Sequence, residues 1–256
     1  KENNEKDIEY YEKSGIALAL NDIGIIYNSK KDYDKSIEYH SKAIAINSNF
    51  LMGYDFRANS YIFKVVHKSE GTSNVEEYIN KALIDSNKVL EAKPNYAESY
   101  MKLGMAYSFN KKLDEAIDVY SKAIKFDSES FTAYYSRGRN YSQKGLYDKA
   151  LDDFNEAIRI DKNFSEAYLS RSDAWEKKNN FFKAIDDVNE CISICKKLDI
   201  LPYGTDLSGI YNRRGYLKTK TGNFAEAISD FTEAIKLNPN SIDGHFSRGI
   251  ARKQKG

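Results

Sequence analysis

The stretch Phe131 to Phe164, FTAYYSRGRNYSQKGLYDKALDDFNEAIRIDKNF, decides the fold. Tyr134, Gly138 and Tyr141 stand four and three residues apart, and Ala150, Phe154 and Ala157 repeat those spacings. Residues so spaced share one face of an α-helix, so each half of the stretch reads as an amphipathic helix. Lys144-Gly145 between the halves reads as the turn. The same pattern stands 34 residues earlier as Tyr100, Gly104, Tyr107, Ala116, Tyr120 and Ala123. Self-similarity at that period means stacked helix pairs, each burying its apolar face on its neighbours, and an all-α solenoid.

With the glycine as position 8, units begin at Ala17, Leu51, Ala97, Phe131, Ser165, Ser208 and Ile242, the last holding a first helix only. Large residues at positions 4 and 11 and a small one at 8 line one side of the first helix. The second helix carries small residues at 20 and 27 and usually a large one at 24. Residues 1–16 echo a second helix, because Lys6-Asp7-Ile8-Glu9-Tyr10 matches Lys35-Ser36-Ile37-Glu38-Tyr39. They are read as a degenerate or truncated preceding helix, and residues 17–256 as the repeat array. Two insertions interrupt the array. Near 67–78, Lys68 to Asn74 reads as a loop and Val75 to Ala92 as a lengthened second helix. Near 199–207, the extra residues centre on Leu201-Pro202-Tyr203-Gly204. Either is a tolerated loop or a partner contact.

These residues resemble the tetratricopeptide repeat family, whose signature is an aromatic, Leu-Gly, Tyr, Ala, Phe, Ala and Pro at these spacings. The resemblance covers residues 17–256 and implies a right-handed superhelix of antiparallel helix pairs, with the first helices lining a concave groove.

Composition narrows the function. The net charge of +1 argues against an obligate polyanionic partner, although residues 208–256 hold nine Lys/Arg against four acids. Cys191 and Cys195 lack further ligands nearby, His40, His67 and His245 are scattered, and no metal or cofactor site is expected. Cysteine poverty suits the cytoplasm, and no apolar run is long enough to span a membrane. The absence of an initiating Met leads to the expectation of a piece excised from a longer protein. With no phosphate loop and no nucleophile arrangement, the chain is read as non-enzymatic. RNA recognition is not expected either, since no base-reading pattern recurs from unit to unit.

Charge is nevertheless written into the repeats. Position 7 is Arg57, Arg137, Arg171 and Arg214 in four complete units, and position 23 is Asp85, Asp153, Asp187 and Asp230 in the same four. Where position 7 is Ile23 or Leu103, position 23 is Tyr39 or Val119. This covariation predicts a bidentate pair inside each repeat, a structural device rather than a row of ligand-binding arginines.

The family geometry implies that positions 2, 5, 6, 9, 12 and 13 of the first helices face the groove. Candidate partner-binding residues are then Met101, Lys102, Met105, Phe109, Tyr135, Arg139, Leu169, Asp173, Arg213 and Tyr216. Methionines and aromatics among cations make an adaptable surface for a peptide or partner helix. The bland reading is that Met101, Met105 and Leu169 only pack between neighbouring first helices. Co-chaperone members of the family begin a carboxylate clamp with Lys at position 5 and Asn at 9. Here those positions read Asn21/Ile25, Asp55/Asn59, Met101/Met105, Tyr135/Arg139, Leu169/Asp173 and Asn212/Tyr216, so chaperone-tail binding is not expected. The expected function is a protein-interaction scaffold, the alternative an oligomerisation or spacer module of a larger protein.

Overall fold

The computed structural model describes residues 2–67, 74–199, 201–202 and 205–256, with side chains from residue 12 onward. These residues form α1 (Glu2–Ser29), α2 (Tyr33–Ile46), α3 (Leu51–Val66), α4 (Val75–Ala92), α5 (Ala97–Phe109), α6 (Leu113–Phe126), α7 (Phe131–Gln143), α8 (Tyr147–Ile160), α9 (Ser165–Lys177), α10 (Phe181–Leu198), α11 (Leu207–Lys220), α12 (Phe224–Leu237) and α13 (Ile242–Lys255). Among the described residues there is no strand. The helices fall into two compact units, residues 1–128 with α1 to α6 and residues 129–256 with α7 to α13.

The helix pairs whose two helices are not separated by an insertion share one closing backbone device. The residue at position 15 is left-handed in five pairs: Lys31, Lys111, Gly145, Asn179 and Gly222, with φ between 58° and 79°. A six-residue hydrogen bond crosses the turn, as from Leu146 N to Tyr141 O at 2.9 Å and from Asn180 N to Trp175 O at 2.9 Å, which satisfies helix-end carbonyls. Glycine takes that backbone conformation without strain, which accounts for Gly145 and Gly222.

Inside a pair, position 8 touches position 24, and their sizes are reciprocal. A methyl group on Gly24, Gly104, Gly138 or Gly215 would stand within 2.4–2.9 Å of the His40, Tyr120, Phe154 or Phe231 ring. Where position 8 is the larger Ala58 or Ser172, position 24 is Ser86 or Val188. Alanines at positions 20 and 27, such as Ala116, Ala123, Ala150 and Ala157, are fully buried and let the helices close on one another.

The charge pairs form as the covariation requires. Arg57 Nε and Nη2 donate to Asp85 at 2.7 and 2.8 Å, Arg137 to Asp153 at 2.9 and 2.7 Å, and Arg214 to Asp230 at 3.0 and 2.6 Å. Arg171 donates from Nε to Asp187 Oδ2 at 3.0 Å and from Nη2 to Oδ1 at 2.5 Å. All four carboxylates are buried. Burial pushes the Asp85, Asp153 and Asp187 carboxyls up and the guanidinium opposes it. Burial lowers Arg57 and Arg137 in turn, but the carboxylate's bonds and charge outweigh it and raise both. These opposing directions fit a pair whose desolvation cost nearly offsets its attraction. Two short parallel bonds to a guanidinium that keeps its proton make the ion pair the state at neutral pH. Position 7 faces 23, and position 11 faces 19, as where Lys183 lies 4.3 Å over the Trp175 ring. The paired positions therefore run in opposite directions along the chain, so the two helices are antiparallel.

One reading changes. Helix α1 runs unbroken from Glu2 to Ser29, so residues 2–16 are its N-terminal half and not a separate preceding helix. No proline stands in residues 2–29, and a helix-interior glycine such as Gly15 costs only about 1 kcal/mol. The insertions are absorbed partly as helix. α3 ends at Val66 and α4 starts at Val75, while Lys68 to Ser73 lies outside the described residues. α10 runs to Leu198, and α11 begins at Leu207, where the Asp206 side chain accepts from Gly209 N at 2.6 Å as N-cap. Tyr203 and Gly204 lie outside the described residues.

Candidate functional site

In residues 1–128 the candidate positions lie on α5. Met101 and Met105 are half-buried, and Met105 packs against the cluster of Ala58, Tyr61, Ile62 and Ala82. Phe109 is 44% exposed. Lys102 is buried, its Nζ donating to Asp55 Oδ1 of α3 at 2.7 Å, with Glu98 at 3.6 Å. Its charge is thus committed between first helices. Removing either partner leaves an uncompensated buried charge. Asp55 was not among the candidates. Its acidic character at position 5, where no other unit carries an acid, was the available signal.

In residues 129–256 the candidates come from α7, α9 and α11. Tyr135 is half-buried, its ring packed T-shaped against Phe164 at 4.8 Å, and the exposed Arg139 lies over it at 5.7 Å. This is a cation–π pair with one cationic end in solvent. Leu169 packs against the cluster around Val188, Cys191 and Ile210. The exposed Asp173 pairs with Arg213, which also donates to Glu176 at 3.0 Å. Tyr216 is 42% exposed, with Lys220 at 5.1 Å from its ring.

Leu169 and Arg213 meet in a cleft of about 530 Å³, whose other walls are Thr205, Asp206, Gly209 and Ile210. Two apolar residues, Leu169 and Ile210, stand in its lining among the polar ones, and Arg213 Nε is buried without a hydrogen-bond partner. The cleft adjoins the second insertion, which the sequence marked as extra residues without indicating an opening. Apolar walls beside a partly exposed guanidinium suit a ligand that brings an apolar side chain next to a hydrogen-bond acceptor.

The cysteines take no part. Cys191 Sγ and Cys195 Sγ are 3.9 Å apart in the core of α10, and burial pushes the Cys191 thiol far up. Among the described residues, no group of three His, Cys, Asp or Glu side chains is arranged to hold a metal, and no helix is long and apolar enough to cross a membrane.

Antiparallel helix pairs closed by a left-handed residue, repeating near 34 residues, define a helical repeat protein. The model described as tetratricopeptide repeat matches residues 17–50, 131–164 and 209–241, and one described as TPR repeat matches residues 110–145. The chain belongs to the tetratricopeptide repeat family, whose members generally mediate protein–protein interactions and are generally not enzymes. Among curated relatives, Hsp70-Hsp90 organizing protein 3 of Arabidopsis thaliana is 31% identical over 122 residues, covering 48% of this chain and 20% of the relative. Heat shock protein STI1 of Saccharomyces cerevisiae is 29% identical over 103 residues, 40% of this chain and 16% of the relative. The chain thus spans a fifth or less of the length of these relatives. Among solved structures, PilW, a type IV pilus biogenesis factor, aligns with TM-score 0.73 at 14% identity over 90% of this chain and 97% of its own. PilF of Pseudomonas aeruginosa aligns with TM-score 0.72 at 14% identity, over 93% and 99%. At these identities the likeness is one of fold.

Proposed function

We propose that the chain is a protein-interaction scaffold that binds an extended peptide or partner helix along the faces of its first helices. The cleft at Leu169 and Ile210 is the anchor in residues 129–256. The observation that carries this reading is the cleft itself, with Leu169 and Ile210 in its lining beside the partly exposed Arg213 side chain. A peptide's apolar side chain seated there leaves water, and a backbone carbonyl beside it can meet the exposed part of the Arg213 guanidinium. Tyr135 and Arg139 offer a second, exposed contact, and Met101, Met105 and Phe109 an adaptable apolar one in the other unit. Lys102 enters this reading as support for Asp55 and not as a ligand contact.

The names of the curated relatives speak of Hsp70 and Hsp90, but no unit has the lysine at position 5 that begins a carboxylate clamp, and the one asparagine at position 9, Asn59, follows Asp55. The partner proposed here is therefore an internal peptide segment, neither a chaperone tail nor a nucleic acid.

The test is selection of a random peptide library on the parent, followed by Kd measurements on Leu169→Ser and Tyr135→Ala/Arg139→Glu, with melting curves as folding controls. At least tenfold weaker binding by a folded variant is expected. Peptides that bind parent and both variants equally, or no peptide at all, would leave the array as a spacer or oligomerisation module.

A further inference from the structure

The third repeat, α5 with α6, departs from its neighbours at two positions that normally hold cations. In the other repeats bearing the pair, the position-7 arginine lies over the tyrosine at position 4, at 5.6 Å for Arg57 on Tyr54 and 5.5 Å for Arg171 on Tyr168. It also reaches the preceding second helix, where Arg57 Nη1 donates to Ser41 Oγ at 3.1 Å and Arg171 Nη1 to Asn155 Oδ1 at 2.7 Å. A second cation, the lysine at position 19, covers the aromatic at position 11, as Lys81 does for Tyr61 at 5.9 Å and Lys183 for Trp175 at 4.3 Å. The third repeat keeps both rings, Tyr100 and Tyr107, and the polar residue on the preceding helix, Asn87. Leu103 replaces the arginine, Glu115 replaces the lysine and Val119 replaces the aspartate.

A cleft follows from the exchange. At the fifth repeat, Asn155, Arg171, Trp175, Lys183, Asp186 and Asp187 line a crevice of about 340 Å³. The equivalent place in the third repeat, between α4 and α6 over α5, opens to about 900 Å³. Leu90, Leu103 and Val119 line it together with the two tyrosines. Four carboxylates line it also, Glu91, Asp114, Glu115 and Asp118, against one ammonium, Lys122. Lys122 pairs with Asp118 at 2.7 Å and Lys88 with Glu91 at 3.1 Å, both exposed pairs within one helix of the kind that contributes little and exchanges readily.

We propose that this cleft receives an arginine side chain presented by an extended segment of a partner protein, as a docking point separate from the first-helix surface. The second, fourth, fifth and sixth repeats supply an arginine of their own to the same place. The third has retained the rings and added carboxylates while losing both cations, so charge and shape complementarity point to a cation from outside. A guanidinium can stack on Tyr100 or Tyr107 while donating in parallel to a carboxylate, which an ammonium cannot do equally well. The volume leaves room for the backbone that carries it.

The experiment is an NMR titration of the whole chain with a capped pentapeptide of glycine and serine around one central arginine. The control is the same peptide with citrulline, which has the arginine shape without its charge. Saturable shifts confined to residues 87–122 are expected, with the citrulline peptide at least tenfold weaker. Glu115→Lys restores the lysine of the first, second, fourth and fifth repeats, and Leu103→Arg with Val119→Asp restores the pair of the second, fourth, fifth and sixth. Each is expected to keep the parent's melting curve and weaken the arginine peptide at least tenfold. Equal binding of the arginine and citrulline peptides, or undiminished binding by both folded variants, would overturn the proposal. So would a concentration-dependent dimer that Glu115→Lys abolishes, which would make the occupant a second copy of this chain.

Discussion

Removing one partner of a repeated charge pair tests the packing logic most sharply. Asp153→Val in α8 strands the Arg137 guanidinium, whose side chain is 19% exposed and which loses two hydrogen bonds of 2.9 and 2.7 Å. Leaving one buried charge without its partner costs about 3 to 5 kcal/mol. Arg137 can turn partly toward solvent and keep its place over Tyr134 at 5.7 Å, so a loss of about 3 kcal/mol is expected. Adding Arg137→Leu removes the stranded charge and copies Leu103 and Val119, the pair that the third repeat already carries. The double variant should then lie within about 1 kcal/mol of the parent, as apolar replacements of buried ion pairs do. Urea unfolding followed by circular dichroism reads both values, with the m-value checking that the repeats still unfold as one transition. If the double variant is as unstable as Asp153→Val alone, the pair is not what holds α7 to α8 and the reasoning fails.

Gly104→Ala should destabilise by about 1 to 3 kcal/mol, since the new methyl would stand 2.4 Å from the Tyr120 ring. Gly104→Ser with Tyr120→Val, copying Ser172 and Val188, should recover part of that loss in the same urea assay. Burial pushes His40 down from 6.5 to about 4, and the Arg57 charge adds to it. The folded state therefore binds its proton later than the unfolded state, so this stability is fully present above pH 6.5 and is lost as pH falls toward 4. The difference amounts to about 3 kcal/mol. His40→Phe, which copies Phe154 and Phe231, should flatten that part of the stability–pH curve; an unchanged slope would mean that other groups set it.

Much of the fold was legible because a repeat compares itself with itself. Arg57, Arg137, Arg171 and Arg214 appear only where an aspartate stands sixteen positions further along the repeat, and that covariation identified the pairs without any coordinates. Gly104 and Gly138 announced close helix contact in the same way. Other features were hidden because they join residues whose spacing is not periodic. Lys102 looked like a groove cation until α3 brought Asp55 to 2.7 Å from it. Arg213 similarly meets Asp173 and Glu176 across two repeats. The continuity of α1 was missed because an echo of a second helix suggested a boundary where no breaking residue stands.

What the sequence by itself determined is the architecture of one repeat: the period, the turn between its helices, the small residue at position 8 that lets a helix approach, and the charge pair. These depend on residues within about one helix pair, where i, i+4 spacing and hydrogen-bond chemistry leave few alternatives. Only the tertiary structure decided which charges are already spent and where space remains, at Leu169 with Ile210 and between Tyr100 and Tyr107. Burial and cleft volume are set by side chains arriving from separate helices, and no single stretch of the chain contains that information.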